Sequence, residues 1–386
     1  MTKKINTWLV AASAAFLGCA SLALAPPASA QIKIGLDMAL TGPTATVILP
    51  HQRVWSVVPK EMAGVKASYP LFDDHGDPTL AVQLVRRLIS EDKVDAIVSA
   101  GTIPICAATA RLAVDSKTPV ICAAPVVVHG EEFRWMFTAA PAAIVIMKPA
   151  VDHMKAQGAH TIGYLGFSDS LGDVHLAGLK ALAAQDGMKV VAEERFDRTA
   201  TSITGQALHI ISAKPDAVFI GASGTPAAFA QKSLVSLGYK GPVYHTNAIF
   251  TPAFTRVGGK NVQGAYALSS PFYVVDQLPD SNIDKPIGLK LKKLWDANFP
   301  GADPGASAAY AYDSYLMLNA AAAQAIKVAK PGTVEFRIAL RDGLEHLKEL
   351  VGASAVFNTT PTDHNGADSR SAILVQLHGN DWKVVQ

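Results

Sequence analysis

Residues 94–122 read VDAIVSAGTIPICAATARLAVDSKTPVIC. The run 94–98 is short, apolar and bounded by turn residues, which marks a buried strand. Residues 106–114 carry helical spacing, and 119–122 form the next strand. Strand, helix and strand in this order build a parallel sheet with helices on its faces. Towards the N-terminus, 32–36 is another strand, ending in the turn Leu40-Thr41-Gly42-Pro43. Tyr69-Pro70-Leu71-Phe72 leads into the loop 73–78 and a helix over 80–89. The result is a βαβαβ unit.

Towards the C-terminus the pattern restarts near residue 140. Helices are expected over 144–154, 174–184, 207–212 and 226–237, and strands over 161–165, 189–192, 216–220 and 242–244. An Ala-rich helix covers 308–329, and the strands 372–377 and 382–385 complete a sheet begun earlier. No Pro/Ser/Gly linker separates the two halves. The crossings between them are therefore short, with candidates at 138–140 and 268–270. The fold class is α/β, with two doubly wound lobes.

Composition excludes several classes. Charged residues make up 17% of the chain and hydrophobic ones 49%, the reverse of a disordered segment. The formal charge of +2 comes with no Lys/Arg block, so nucleic acid and anionic membranes have no electrostatic support as partners. Lys3 and Lys4, the apolar stretch 8–24 and Ala28-Ser29-Ala30 form an export signal cleaved after Ala30. Cleavage removes both lysines and with them the net charge. The apolar stretch falls short of the ~20 residues that span a bilayer. Leu17-Gly18-Cys19 makes a poor lipidation site, because Phe16 stands where Leu is usual. The mature chain is expected to be soluble and periplasmic.

Catalytic and cofactor motifs are missing. No Gly-x-Gly-x-x-Gly follows the first strand, and no Walker loop, Cys-x-x-Cys or His-Glu-x-x-His occurs. Gly221-Ala222-Ser223-Gly224 stops short of a nucleophile elbow, which needs Gly where Thr225 stands. His153, His160 and His175 read as surface or helix-end residues. Asp73, Asp74 and Asp77 lack the later Glu of a Ca²⁺ loop. Asp77 before Pro78 reads instead as a helix cap. No metal and no cofactor are expected.

The strand-to-helix junctions carry more information. Ligands of open parallel sheets sit outside the carboxyl ends of the strands. Helix N-termini there offer free N–H groups to anions. The junctions are 42–47, 101–107, 122–126, 166–173, 221–226 and 245–250, rich in Gly, Pro, Ser and Thr and poor in charge. Two halves facing each other with such junctions make a cleft for a small, partly apolar molecule.

Over residues 31–386 the chain resembles the leucine/isoleucine/valine-binding family of ABC-importer solute-binding proteins. The resemblance rests on Ile32-Lys33-Ile34-Gly35 with Leu40-Thr41-Gly42-Pro43, Asp73-Asp74-x-x-Asp77-Pro78 and Pro119-Val120-Ile121. It rests also on Gly238-Tyr239-Lys240-Gly241, Tyr310-Ala311-Tyr312-Asp313 and Asp363-His364-Asn365-Gly366. It implies a type I periplasmic binding fold, a Venus flytrap of two lobes joined by three crossovers. Lobe I would hold 31–139 plus 270–356, and lobe II 140–269 plus 357–386. It further implies hinge closure on a small-molecule ligand, delivery to a membrane permease, no catalysis and a monomer.

Site residues follow from the resemblance one at a time. Lobe I would contribute Val47 from the first junction and Thr102, Ile105 and Cys106 from the second. The family's hydroxyl at the start of that helix falls at Ile105 or Cys106. The later Ala-x-Thr falls at Ala124 and Val126, so a second hydroxyl is lost. Leu171 and Ser223 stand where the family carries aromatics, and Tyr310 or Tyr312 keeps a third. Asn247 stands where a carboxylate pairs with the ligand ammonium. A buried ammonium without a counter-charge costs several kcal/mol. A small carboxylic acid without an ammonium, such as an aromatic acid, is therefore favoured over a branched-chain amino acid. Cys106 and Cys122 are expected to end neighbouring strands at the cleft side, within reach of a disulfide. The alternatives are a periplasmic sensor for a membrane kinase and, more remotely, a two-lobed sugar or nucleotide enzyme using Asp169 and Asp173.

Overall fold

The computed structural model describes residues 31–385 except Pro43, Val127 and His129. The export signal expected over 1–30 lies outside the described residues. The first sheet begins with β1 (Ile32–Met38), and helix α1 (Ala45–Val57) follows it. A hairpin of β2 (Glu61–Met62) and β3 (Val65–Ser68) leads to β4 (Leu71–Asp73). Then come α2 (Pro78–Ser90), β5 (Ala96–Ala100), α3 (Ile103–Ser116), β6 (Val120–Cys122) and β7 (Met136–Thr138). The strand order is β2-β3-β1-β5-β6-β7, with β4 also paired to β1. The strands from β1 to β7 on this side pair in parallel, the β2–β3 hairpin excepted.

The second sheet is built the same way. Its elements are α4 (Ala143–Ala156), β8 (Thr161–Phe167), α5 (Ser170–Gln185), β9 (Lys189–Phe196), α6 (Thr204–Ser212) and β10 (Ala217–Gly221). After them come α7 (Gly224–Ser236), β11 (Val243–His245), α8 (Pro252–Gly258) and β12 (Tyr266–Ser269). The chain then returns to the first lobe through α9 (Lys285–Asn298), α10 (Ser307–Ala325), α11 (Val334–Glu345) and the small hairpin β13 (Leu350–Val351) and β14 (Val356–Phe357). Strands β15 (Ile373–His378) and β16 (Asp381–Val384) go back to the second sheet, β15 antiparallel on β12 and β16 antiparallel on β15. Its order is β16-β15-β12-β11-β10-β8-β9. The chain thus passes between the lobes three times.

Sequence periodicity explains the layers. On β1, Ile32, Ile34, Leu36 and Met38 enter one core with Trp55, Trp295, Met317 and Phe336. Gly35 faces the other side, where a Cβ would stand 2.9 Å from Cδ1 of Leu88. There Val85, Leu88, Ile97 and Trp135 form a second cluster. Alternation with both faces covered is what a parallel sheet demands. The second sheet is sandwiched likewise, by Phe167, Ile220 and Phe254 on one face and Met147, Leu179 and Tyr244 on the other.

Two expectations need correction. Cys106 does not end a strand: it lies in α3, because β5 stops at Ala100 and the helix starts at Ile103, before the expected 106. The disulfide to Cys122 therefore ties a helix to the end of β6, with the Cα atoms 6.0 Å apart. His175 is not a surface or helix-end residue. It is buried within α5, which begins at Ser170 rather than 174, and its Nδ1 bonds the Leu171 carbonyl at 2.8 Å.

The crossings are tied to one another. Asn365 in the third crossing donates from Nδ2 to the Ala140 carbonyl of the first (2.8 Å), and its Oδ1 accepts from Ala142 N–H (3.2 Å). Buried His364 stacks on Phe137 and bridges the Met136 carbonyl (2.9 Å) and Glu345 Oε1 (3.0 Å). In the second crossing, Asp284 is 1% exposed, and both its carboxyl oxygens lack a protein partner. Burial raises its pKa to about 6.

Candidate functional site

On the first sheet the carboxyl ends of β1, β5 and β6 carry the candidate residues. Thr102 sits at the N-cap of α3 in extended conformation, and its hydroxyl caps no N–H of that helix. Asp77 shows the contrast, since its Oδ1 accepts from Thr79 and Leu80 N–H at 2.6 and 3.2 Å, as the sequence implied. Pro104 has no N–H and that of Cys106 bonds the Thr102 carbonyl at 3.1 Å, so the N–H groups of Ile103 and Ile105 and the half-buried Thr102 hydroxyl are what this corner offers an acceptor. Ile105 is fully buried and turns back on the strand end, where a Cβ at Gly101 would meet it at 2.8 Å. Cys106 is buried too, and its sulfur is committed to Cys122. Ala124 and Val126 are packed into the cluster that contains Cys106 and Trp135. The Thr138 hydroxyl holds the Ala124 carbonyl at 3.0 Å. Val47, in the first turn of α1, is 38% exposed.

On the second sheet, β8, β10 and β11 lie side by side and present Leu171, Ser223 and Asn247 beyond their carboxyl ends. Asp169 caps α5 through Oδ1, which accepts from Leu171 N–H at 2.9 Å and Gly172 N–H at 3.3 Å. Its other oxygen takes Arg198 Nε at 2.6 Å. Arg198 Nη1 reaches Ser223 Oγ at 3.4 Å, and the guanidinium lies 4.3 Å from the centre of the Phe167 ring. Asp173 pairs with Arg195 at 2.6 Å. Asp169 and Asp173 are therefore matched by arginines, while a third carboxylate at this edge, Asp197, accepts from the Ser168 hydroxyl. Thr246 donates to the Ala222 carbonyl (2.8 Å) and accepts from Ala248 N–H (3.2 Å), which holds the two junctions together.

The two lobes meet at Asn247. Its Nδ2 donates to the Tyr310 hydroxyl at 2.6 Å. Tyr310 lies on α10, which packs in the first lobe's core, and burial raises its phenol well above the ordinary tyrosine range. Tyr312 turns the other way, into that core, with its ring stacked 6.2 Å from Tyr315. Tyr310 is thus the residue of this pair that the fold brings to the second lobe. Arg198 escaped the sequence reading, because its partners are distant in sequence and adjacent only once β9 pairs with β8 and β8 with β10.

Asp73 and Asp74 serve the loop. Asp73 Oδ1 accepts from Leu40 and His75 N–H at 3.0 and 2.9 Å, and Asp74 Oδ1 accepts from Gly76 N–H at 2.7 Å. Among the described residues no group of three or more His, Cys, Asp or Glu side chains is placed to hold a metal. A recess of about 410 Å³ opens at the opposite end of the second sheet, lined by Met154, Asp216, Tyr244 and Tyr266. It is remote from the strand ends described above. Among the described residues no helix is long and apolar enough to cross a membrane.

Comparison with known proteins agrees with this architecture. An extracellular ligand-binding receptor from Rhodopseudomonas palustris HaA2 superposes with a TM-score of 0.88 at 34% identity, over 92% of this chain and 100% of that one. A leucine binding protein, LivK, from Thermotoga maritima superposes at 0.73 with 18% identity, over 92% and 98% of the two chains. A putative branched-chain amino acid ABC transporter protein from Rhodospirillum rubrum gives 0.67 and 18%, over 92% and 100%. These last two show the shared fold alone. No curated protein matches the chain. The model of the periplasmic binding protein family matches residues 31–380, and with a 34% identical relative covered end to end the chain belongs to that family.

Proposed function

We propose that the protein is the extracytoplasmic solute-binding subunit of an ABC importer and takes a small carboxylate without an ammonium group into the cleft between its lobes. The observation that carries this reading is the Asn247–Tyr310 hydrogen bond. It joins the carboxyl edge of the second sheet to the first lobe and puts a neutral amide where the resemblance expects an anion. Asp169 and Asp173 pair with arginines, so neither is free to neutralise an ammonium. The opposite edge supplies the Thr102 hydroxyl and the N–H groups of Ile103 and Ile105 at the start of α3 for a carboxylate. The accessible apolar side chains at the two edges, Val47 and Leu171, suit an aromatic acid. The paired state of Asp169 and Asp173 also speaks against an acid–base pair, and so against the enzyme alternative.

The lobes comprise 31–139 plus 270–356 and 140–269 plus 357–386, and ligand binding closes them about the three crossings. The protein works in the periplasm as a monomer, after cleavage behind Ala30, and hands its ligand to a membrane permease. A thermal-shift panel tests the reading. Benzoate-type acids are expected to raise the melting temperature, and leucine, isoleucine and valine to leave it unchanged. Stabilisation by the amino acids alone overturns the ligand assignment.

A further inference from the structure

We propose that Arg198 is a specificity residue that reads the far end of the ligand, and that this end carries an uncharged oxygen, a hydroxyl or a carbonyl, rather than a hydrocarbon or a second carboxylate. The inference rests on the carboxylate-in-cleft reading given above and adds the second half of the ligand to it.

The geometry begins at two junctions of the second sheet, where the chain carries an apolar side chain at Leu171 and a hydroxymethyl at Ser223. Arg198 reaches both junctions. It bonds Asp169, which caps the helix turn carrying Leu171, and it approaches Ser223 Oγ. Phe167 supports the guanidinium plane from beneath. An aromatic side chain at Ser223 would compete with the guanidinium for this ground.

The donors are partly spoken for. Of an arginine's five N–H groups, the one on Nε serves Asp169 and one on Nη1 serves Ser223. Among the described residues the second on Nη1 and both on Nη2 have no protein acceptor. The side chain is 45% exposed, so they are not sealed in the protein. Arg198 and Asp169 together form a neutral pair. A second carboxylate at the outer N–H groups would meet a cation already neutralised by Asp169 on its Nε side, so it gains less than it would from a lone arginine. A hydroxyl or carbonyl oxygen takes the N–H without needing that charge, and a hydroxyl can return its proton to the pair. Hydrogen bonds to charged donors exceed neutral ones in strength, so this contact discriminates.

Calorimetric titration of the mature protein with benzoate, 4-hydroxybenzoate and terephthalate tests the assignment. The wild type is expected to bind 4-hydroxybenzoate about tenfold or more tighter than benzoate, with terephthalate weaker than 4-hydroxybenzoate. In Arg198→Met the ratio of the first two should fall below about threefold. In Arg198→Lys, which keeps the charge but not the fork, it should fall part of the way. The ligand-free melting curve of each variant establishes that it folds. An unchanged ratio in Arg198→Met overturns the role of Arg198, as does a wild type indifferent to the hydroxyl. Terephthalate binding tightest overturns the uncharged end. A wild type that binds none of the three acids overturns the parent reading instead.

Discussion

Reducing the Cys106–Cys122 disulfide should cost the protein about 3 kcal/mol of stability. The bond closes a segment of sequence separation 16, and the loop-closure entropy it removes from the unfolded chain corresponds to about 3 kcal/mol at 25 °C. For a folding unit of one lobe's size, each kcal/mol moves the melting temperature by roughly 2–4 °C. A drop of roughly 6–12 °C follows. The consequence reaches the site, because the bond fastens α3 to the end of β6 and so fixes Thr102 relative to Ala124. Binding of a carboxylate should weaken along with stability. The assay is calorimetric melting of the wild type with and without a phosphine reductant, beside a Cys106→Ala/Cys122→Ala double variant. The wild type should drop in reductant to near the double variant, which should not respond. Identical wild-type melts in both conditions, with two thiols alkylated in unreduced denatured protein, would refute the reasoning.

Other perturbations probe the cleft and the crossings. Asn247→Asp restores a carboxylate where the ligand ammonium would sit, so leucine should gain affinity and benzoate lose it in parallel titrations. Tyr310→Phe removes the acceptor of the interlobe bond. It should widen the ligand-free scattering envelope and cost about 1 kcal/mol, near fivefold, in closing the lobes. Asp284→Asn addresses pH. Burial raises this carboxyl from 3.8 to about 6, so the folded state favours its proton. The stability it contributes is full below the unfolded pKa and is lost as pH rises through about 6. With the opposing Arg370 charge already included, the shift corresponds to about 3 kcal/mol at most. Wild-type melting should therefore fall between pH 5 and pH 8 relative to Asp284→Asn, and equal slopes would contradict this.

Much of the architecture was legible because parallel strands buried on both faces leave continuous apolar runs. The strands expected over 161–165 and 216–220 appear as Thr161–Phe167 and Ala217–Gly221. Helix α1 was not read, because Pro50 interrupts its pattern, although Ile48, His51, Val54 and Trp55 form its buried face. Residues 266–269 were read in part as a crossing, yet they form strand β12, whose partners β11 and β15 come from either side in sequence. The short β2–β3 and β13–β14 pairs carry too few residues to show a period. The candidate site was half legible. The junction loops announced themselves through Gly, Pro, Ser and Thr, and resemblance nominated Asn247 and Tyr310. Their mutual bond spans 63 residues of sequence, and no local pattern encodes it. The same holds for Arg198, 29 residues from Asp169 and 25 from Ser223.

The central claim is that the cleft accepts a carboxylate and refuses an ammonium. Isothermal titration of one preparation of the mature protein with benzoate and then leucine tests it most directly. The account predicts saturable heat with benzoate and none with leucine. Saturable heat with leucine and none with benzoate would contradict it.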